Sequence, residues 1–232
     1  MIRWALRTFI VILGLIFAAF IAFQVYVALK LWWWVDHNPT STAFMDARLA
    51  VIREKSPSAK LKYKWVDYGN ISSHLKRAIL VAEDDRFIDH EGFDWESIQK
   101  ALDKNQKRGK VVAGGSTISQ QLAKNLFLSG ERSMLRKGEE AIITFMMEQL
   151  LDKERILEIY LNVIEWGDGV FGAEAAARHY FGVAAAQLSQ EQAAKLAAMV
   201  PRPRFYDRNR NAPWLLKKTQ IILERMPRAQ LP

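Results

Sequence analysis

Three groups of polar residues in this chain have types and spacings that could do chemistry. The densest is Glu83-Asp84-Asp85, followed by Phe87, His90 and Gly92. On one continuous helix, positions 83, 87 and 90 stand at i, i+4 and i+7 and share a face. A carboxylate set among Ile79, Leu80, Val81 and Phe87 is partly desolvated, which raises its pKa toward general acid or base use. The plainer alternative is a solvated acidic helix end, with His90 as a capping or core residue.

The second group is Gly114-Gly115-Ser116-Thr117-Ile118-Ser119-Gln120-Gln121-Leu122-Ala123-Lys124-Asn125. It reads as a turn and a helix start, with a hydroxyl ready to cap. A helix beginning near Ser116 puts Thr117, Gln121, Lys124 and Leu128 on one stripe and Ile118, Leu122 and Leu126 on a neighbouring apolar one. The polar stripe offers hydroxyl, amide and ammonium groups suited to sugar hydroxyls or phosphate, and the helix N-terminus adds positive potential. An ordinary amphipathic helix after a glycine turn fits the same pattern.

The third group is Arg132, Arg136, Lys137 and Glu140. Arg136 and Glu140 could be a surface ion pair worth a few tenths of a kcal/mol. Together with Lys124, the cations could instead hold a diphosphate, because guanidinium groups bind phosphate oxygens bidentately. Further on, Ile156 to Asn162 and Gly167 to Glu174 read as a helix, a glycine-rich turn and a new helix. Core plus connector is the conservative reading there, with Asn162 and Gly172 the two positions best placed to approach a ligand.

Composition narrows what these groups can be. The 232 residues include no Cys, which excludes disulfide scaffolds, thiolate zinc sites, iron–sulfur clusters and a Cys nucleophile. The four His, at 37, 74, 90 and 179, leave little for a multi-His metal site. No P-loop and no G-x-S-x-G nucleophile elbow is present. Half the residues are apolar, so the chain is neither disordered nor low-complexity.

The elements that must position the polar groups begin with an anchor. From Thr8 to Leu29 no residue is charged, and about 20 apolar residues suffice to cross the hydrocarbon core. A signal peptide has a shorter apolar region and a small-residue cleavage site, whereas this run continues into Leu31-Trp32-Trp33-Trp34. Arg3 and Arg7 precede it and the Trp triplet follows, so the positive-inside rule predicts a cytoplasmic N-terminus with the remainder outside. The net charge of +8 divides into +3 from residues 1–35 and +5 from the rest. That mild excess suits an acidic or phosphate-bearing partner near a membrane and does not call for nucleic acid.

Residues 36–70 read as an irregular connector with a short extended stretch near Tyr63. A mainly α domain follows over 71–232, with helices expected over about 73–88, 94–107, 134–151, 153–164, 173–181, 189–200 and 213–226. Ser189 and Gln192 form a capping box for the sixth of these.

In combination and in order, these segments resemble the peptidoglycan glycosyltransferase domain, family 51 of the glycosyltransferases, in its membrane-anchored monofunctional form. The likeness rests on Glu83 to Gly92, Gly114 to Asn125, Arg136-Lys137-Gly138-Glu139-Glu140-Ala141, Ile156 to Asn162 and Ala175 to Gly182, and covers about residues 70–210. It implies a lysozyme-like, mostly α fold with head and jaw lobes behind one transmembrane helix. It also implies polymerisation of lipid II, with inversion and release of undecaprenyl diphosphate. Glu83 would be the base that takes the acceptor's 4-hydroxyl proton, and Glu140 a second carboxylate assisting through the donor site. Lys124, Arg132, Arg136 and Lys137 would hold the diphosphate, while Ser116, Thr117, Gln120, Gln121 and Asn125 would line the sugar or phosphate path. Asp84, Phe87 and His90 would shape the site.

The same resemblance implies a divalent cation such as Mg²⁺ on the diphosphate, a bacterial inner-membrane location with the domain outside, and contacts with other wall-synthesis or division proteins. It departs from the family in Ser119, where Thr is usual, and in Asp207-Arg208-Asn209 after Tyr206, where many members carry a proline. No transpeptidase domain is expected, since the chain ends at Pro232. Two rivals remain: a lytic, lysozyme-like hydrolase, which has no diphosphate to hold, and an inert membrane scaffold, which gives Glu83 and Glu140 no task.

Overall fold

An apolar run without proline or interior charge gives one unbroken helix, α1 (Ile2–Trp33). In the computed structural model, which describes residues 2–110, 114–128 and 133–232, most of its side chains are exposed, as on a helix made for lipid. It is the one helix among the described residues long and apolar enough to cross a membrane. Only its C-terminal part is covered, where Val27, Leu31 and Trp34 are buried in the domain core.

Residues 36–70 are more ordered than an irregular connector. Thr42 caps α2 (Ala43–Lys55) by accepting from the Met45 N–H, and Asp46 and Arg53 sit at the dipole-favourable ends. Pro39 and Ser56-Pro57 flank this helix and mask it in the sequence. The extended stretch is β1 (Lys62–Tyr63).

The domain then proceeds through α3 (Ser73–Glu83), α4 (Trp95–Arg108), α5 (Ile118–Phe127), α6 (Met134–Leu150) and α7 (Lys153–Val163). A small hairpin, β2 (Glu165–Gly167) and β3 (Val170–Phe171), leads into α8 (Ala173–Phe181), α9 (Gln190–Met199), α10 (Pro203–Arg208) and α11 (Pro213–Arg225). The sheet order is β1-β3-β2, with β1 parallel and β2 antiparallel to β3. The mainly α expectation holds, and the expected capping box at Ser189 and Gln192 is formed. Helix α10 and the β2–β3 hairpin lie outside what the hydrophobic periodicity predicts.

The apolar stripe of α5 is fully used: Ile118 and Leu122 are buried and Leu126 nearly so. This helix packs against α2, α6 and α7, while α3, α9 and α11 pack together. Helix α1 rests on α6. The anchor is therefore joined to the helix that carries Arg136, Lys137 and Glu140.

Candidate active site

Glu83 is the last residue of α3. The helix stops there because the Asp84 carboxylate is engaged elsewhere: it accepts the Ile118 N–H at 2.9 Å and lies 3.0 Å from His90 Nε2. The Gly92 N–H donates to His90 Nδ1 at 3.1 Å, so Nε2 carries the proton offered to Asp84. The expectation that residues 83, 87 and 90 share one helix face is thereby corrected, since residues 84–92 form turns. Phe87 is sealed in the core at 1% exposure, with Lys153 Nζ 4.6 Å above its ring. Asp84, Phe87 and His90 pack together behind the end of α3.

At the start of α5, Thr117 and Gln120 form a reciprocal capping box. The Thr117 hydroxyl also donates to the Gly92 carbonyl at 2.7 Å, which ties the helix start to the turns after α3. Both side chains are largely buried and hold α5 in place, and each also borders a cavity: Thr117 the cleft beside Glu83 and Gln120 the neighbouring one. The turn before them comes close to α4: a Cβ on Gly115 would sit 2.9 Å from the Ile98 Cα. Only glycine allows that approach.

Gln121 does face chemistry. Its Nε2 donates to Glu83 Oε2 at 3.1 Å, and its Oε1 accepts from the Tyr160 hydroxyl at 3.0 Å. Tyr160, fully buried on α7, thus fixes which end of the amide meets the carboxylate. The other oxygen, Glu83 Oε1, is buried without a hydrogen bond, and its nearest cation is Lys218 Nζ at 3.7 Å on α11. Burial pushes the Glu83 carboxyl above the usual carboxylate range, and Lys218 and Gln121 pull it partly back. Burial, with Glu83 and Asp84 nearby, also raises the Tyr160 hydroxyl well above its ordinary value, so it acts as a donor.

Glu140 is held differently. It is 4% exposed on α6, with Arg136 Nη1 at 3.1 Å and Lys137 Nζ in contact with its other oxygen. A cleft of ≈ 180 Å³ runs between residues 81–85 and the Gly114–Thr117 turn, with Glu83 in its wall. A second cavity, ≈ 200 Å³, shares Gly115 and Ser116 with the first and is lined by Gln120 and Lys137. Ser116 Oγ lies 3.5 Å from Lys137 Nζ. The turn is thus a common wall between the Glu83 side and the Glu140 side.

The expected diphosphate cations among the described residues line different parts of the site. Arg136 and Lys137 gather on Glu140, whereas Lys124 lines another cavity with Gln121, Asn125, Tyr160 and Arg204. Arg132 lies outside the described residues.

Asn162 and Gly172 correct a further expectation. Asn162 is fully buried and its amide is spent on Val66 N–H, Val66 carbonyl and Glu158 carbonyl, at 2.9–3.0 Å. It fastens the segment after β1 onto α7. Gly172, at φ +82, lies where a Cβ would meet the Asn162 carbonyl at 2.7 Å. These two residues close the fold. Gly167, Gly169 and Gly172 also have the spacing of a dinucleotide-binding loop, but here they serve the hairpin between β2 and α8.

Sequence reasoning passed over Tyr160 and Lys218. The clue to Lys218 was its place between Leu215 and Ile222 on the buried stripe of α11; Tyr160 stood in a quoted motif as an apparent core residue.

The membrane-length helix lies close to this arrangement. Gln24 on α1 donates to Glu139 on α6 at 2.5 Å, one residue from Glu140. Met134 and Leu135 at the start of α6 are 86% and 89% exposed. An apolar surface beside the anchor fits a helix lying in the headgroup region.

The arrangement is a helical domain fastened to a membrane-length helix, with one desolvated carboxylate and one cation-clamped carboxylate on either side of a glycine turn. The chain belongs to the transglycosylase family, whose profile matches residues 50–227. A relative from Dechloromonas aromatica (strain RCB) is 63% identical over 225 residues, 96% of both chains. One from Janthinobacterium sp. (strain Marseille) is 62% identical over 209 residues, 90% of each, and one from Laribacter hongkongensis (strain HLHK9) is 57% identical over the whole of both chains. All three are named biosynthetic peptidoglycan transglycosylase.

Proposed function

We propose that this enzyme polymerises peptidoglycan glycan strands from lipid II. The observation that carries the mechanism is Glu83: a desolvated carboxylate with one oxygen held by Gln121 and the other without a hydrogen bond. That free oxygen takes the proton of the acceptor sugar's 4-hydroxyl. The hydroxyl oxygen attacks the anomeric carbon of the lipid-linked donor chain with inversion, the C1–O bond to the diphosphate breaks, and undecaprenyl diphosphate departs. A diphosphate is already a good leaving group, so the site needs a base and positive charge more than a strong acid.

Arg136 and Lys137 supply that charge, oriented by Glu140. Lys124 and Asn125 extend it along the substrate path, with Ser116 beside Lys137, and a role for Arg132, outside the described residues, rests on the family resemblance alone. A lipid-linked substrate also accounts for α6 resting on α1. Among the described residues, no three His, Asp or Glu side chains gather to cage a metal. A divalent cation in this reading therefore rides on the diphosphate itself, and no step is routed through it. The N-terminus is cytoplasmic, the anchor sits in the inner membrane and the domain works outside it, as the charges flanking α1 support. Contacts with other wall-synthesis or division proteins rest on the family resemblance alone.

The test is lipid II in detergent or vesicles with the full chain. The expected product is long, uncross-linked glycan, lost in Glu83→Gln while thermal unfolding stays cooperative. Full polymer from Glu83→Gln would overturn the assigned base, and cleavage of preformed glycan without synthesis would establish the lytic alternative.

A further inference from the structure

A concentration of positive charge lies away from both Glu83 and Glu140. A recess of ≈ 470 Å³ between the C-terminal end of α2, β1, the β2–β3 turn and α10 is lined by Arg48, Lys55, Lys60, Lys62, Arg204 and Arg208, with Asp168 as its one carboxylate. Glu165 stands just behind and pairs with Arg48 at 3.1 Å and Arg204 at 3.7 Å. Asp168 contacts Arg48 and lies 3.9 Å from Arg208. Those pairs account for the arginines. Among the described residues, Lys55, Lys60 and Lys62 have no carboxylate partner, and Lys62 Nζ instead meets His179 Nδ1 at 3.2 Å.

Three ammonium groups without a carboxylate partner around one recess repel one another, and the recess focuses their field. They are matched by an anion that enters. The recess is also joined to the active site: Arg204 lines both this recess and the cavity shared by Gln121, Lys124 and Tyr160. Gln121 in turn touches Glu83. Arg204 thus borders both cavities, which sets the lysines on the side of the site that Gln121 and Lys124 line.

We propose that this recess binds the carboxylates of the peptide carried by the sugar substrate, a second specificity site beyond the sugar and diphosphate contacts. The proposal rests on the polymerase reading, whose substrate is a peptide-substituted glycan with at least a terminal carboxylate. A peptide suits the shape better than a membrane surface does. Lipid headgroups present a broad face, and the exposed apolar residues Met134, Leu135 and Phe145 that would enter it lie on α6 beside α1. The lysines are set in a recess on other elements.

The experiment is equilibrium binding of a soluble disaccharide-peptide with free carboxylates, and of its carboxamide analogue, to the detergent-solubilised full chain. Binding needs no turnover, so the outcome is independent of whether Glu83 is the base. The free acid is expected to bind about tenfold more tightly than the amide at low salt, as two charge-assisted contacts allow, and the advantage should shrink as salt rises. Lys55→Glu with Lys60→Glu should erase the difference, and Lys55→Gln with Lys60→Gln, which cannot repel, should reduce it. Equal affinity for acid and amide, or a preference that survives in both double variants, overturns the proposal. Weakened binding of the Glu variant to phosphatidylglycerol vesicles, with peptide binding intact, overturns it in favour of a headgroup contact.

Discussion

Glu83 and Glu140 are the same residue type, the first part-buried and the second buried, and their surroundings hold them differently. Glu83 ends a helix, receives one amide hydrogen bond and keeps its closest ammonium at 3.7 Å, so burial dominates and its pKa rises. Glu140 lies within a helix and is gripped by Arg136 and Lys137, three and four residues before it. The first is left able to gain a proton. The second uses its charge to hold cations in place. Partner distance, more than burial, separates a base from a structural counter-ion.

Breaking the Glu83 side should have the largest effect. Glu83→Gln is expected to lower polymerisation by about 10²- to 10⁴-fold, the usual worth of a positioned base. At neutral pH the same variant should unfold at an equal or higher temperature, because it removes a desolvated charge. A clearly less stable Glu83→Gln protein would deny the desolvation on which the contrast depends.

On the other side, Glu140→Gln should cost less activity, about tenfold to a hundredfold, and show mainly as a raised KM for the lipid substrate. Its removal leaves Arg136 and Lys137 without their carboxylate, so a stability loss of about 1–3 kcal/mol is expected from denaturant melts. A change in kcat alone would place Glu140 in proton transfer and erase the distinction. Tyr160→Phe should lower kcat about tenfold by freeing the Gln121 amide, for roughly 1 kcal/mol of stability. Gln121→Glu in its place would meet Glu83 with a like charge, and its acid limb should move up in pH.

The smallest effect is a pH signature. As a base, Glu83 must be ionised, so kcat/KM should rise with pH through a midpoint above the 4.5 of an ordinary glutamate. Stability runs the other way. Between 4.5 and the raised value the folded state holds the proton more firmly than the unfolded one, so stability falls as pH rises through that window. Glu83→Gln should flatten both trends, and Glu140→Gln should leave both in place. An acid limb unchanged in residual Glu83→Gln activity would assign it to another group. Asn162→Ala is a control on the fold: it should cost about 2–4 kcal/mol for its buried hydrogen bonds and leave the acid limb unmoved.

Much of the domain could be read from local pattern. The anchor, the starts of α4, α5 and α9, and the apolar stripe of α5 follow from capping residues and periodicity, because those signals act within a few residues. Helix α2 was legible too, in Thr42, Asp46 and Arg53, but the flanking prolines obscured it. The end of α3 was not. Asp84 to Glu91 contains no Gly or Pro, and only the distant Ile118 N–H and His90 draw the Asp84 side chain out of the helix.

By itself the sequence determined the class of molecule: a membrane-length helix, a mainly α domain, no thiol chemistry, and the set of carboxylates, amides and cations from which a site could be made. Tertiary structure decided the roles. It used Thr117, Gln120 and Asn162 to hold elements together, set Arg136 and Lys137 on Glu140, and recruited Tyr160 and Lys218 to the surroundings of Glu83. The physical reason is range: a cap or an apolar stripe is fixed by neighbours three or four residues away, whereas a carboxylate's pKa depends on burial and on charges brought to it from other helices.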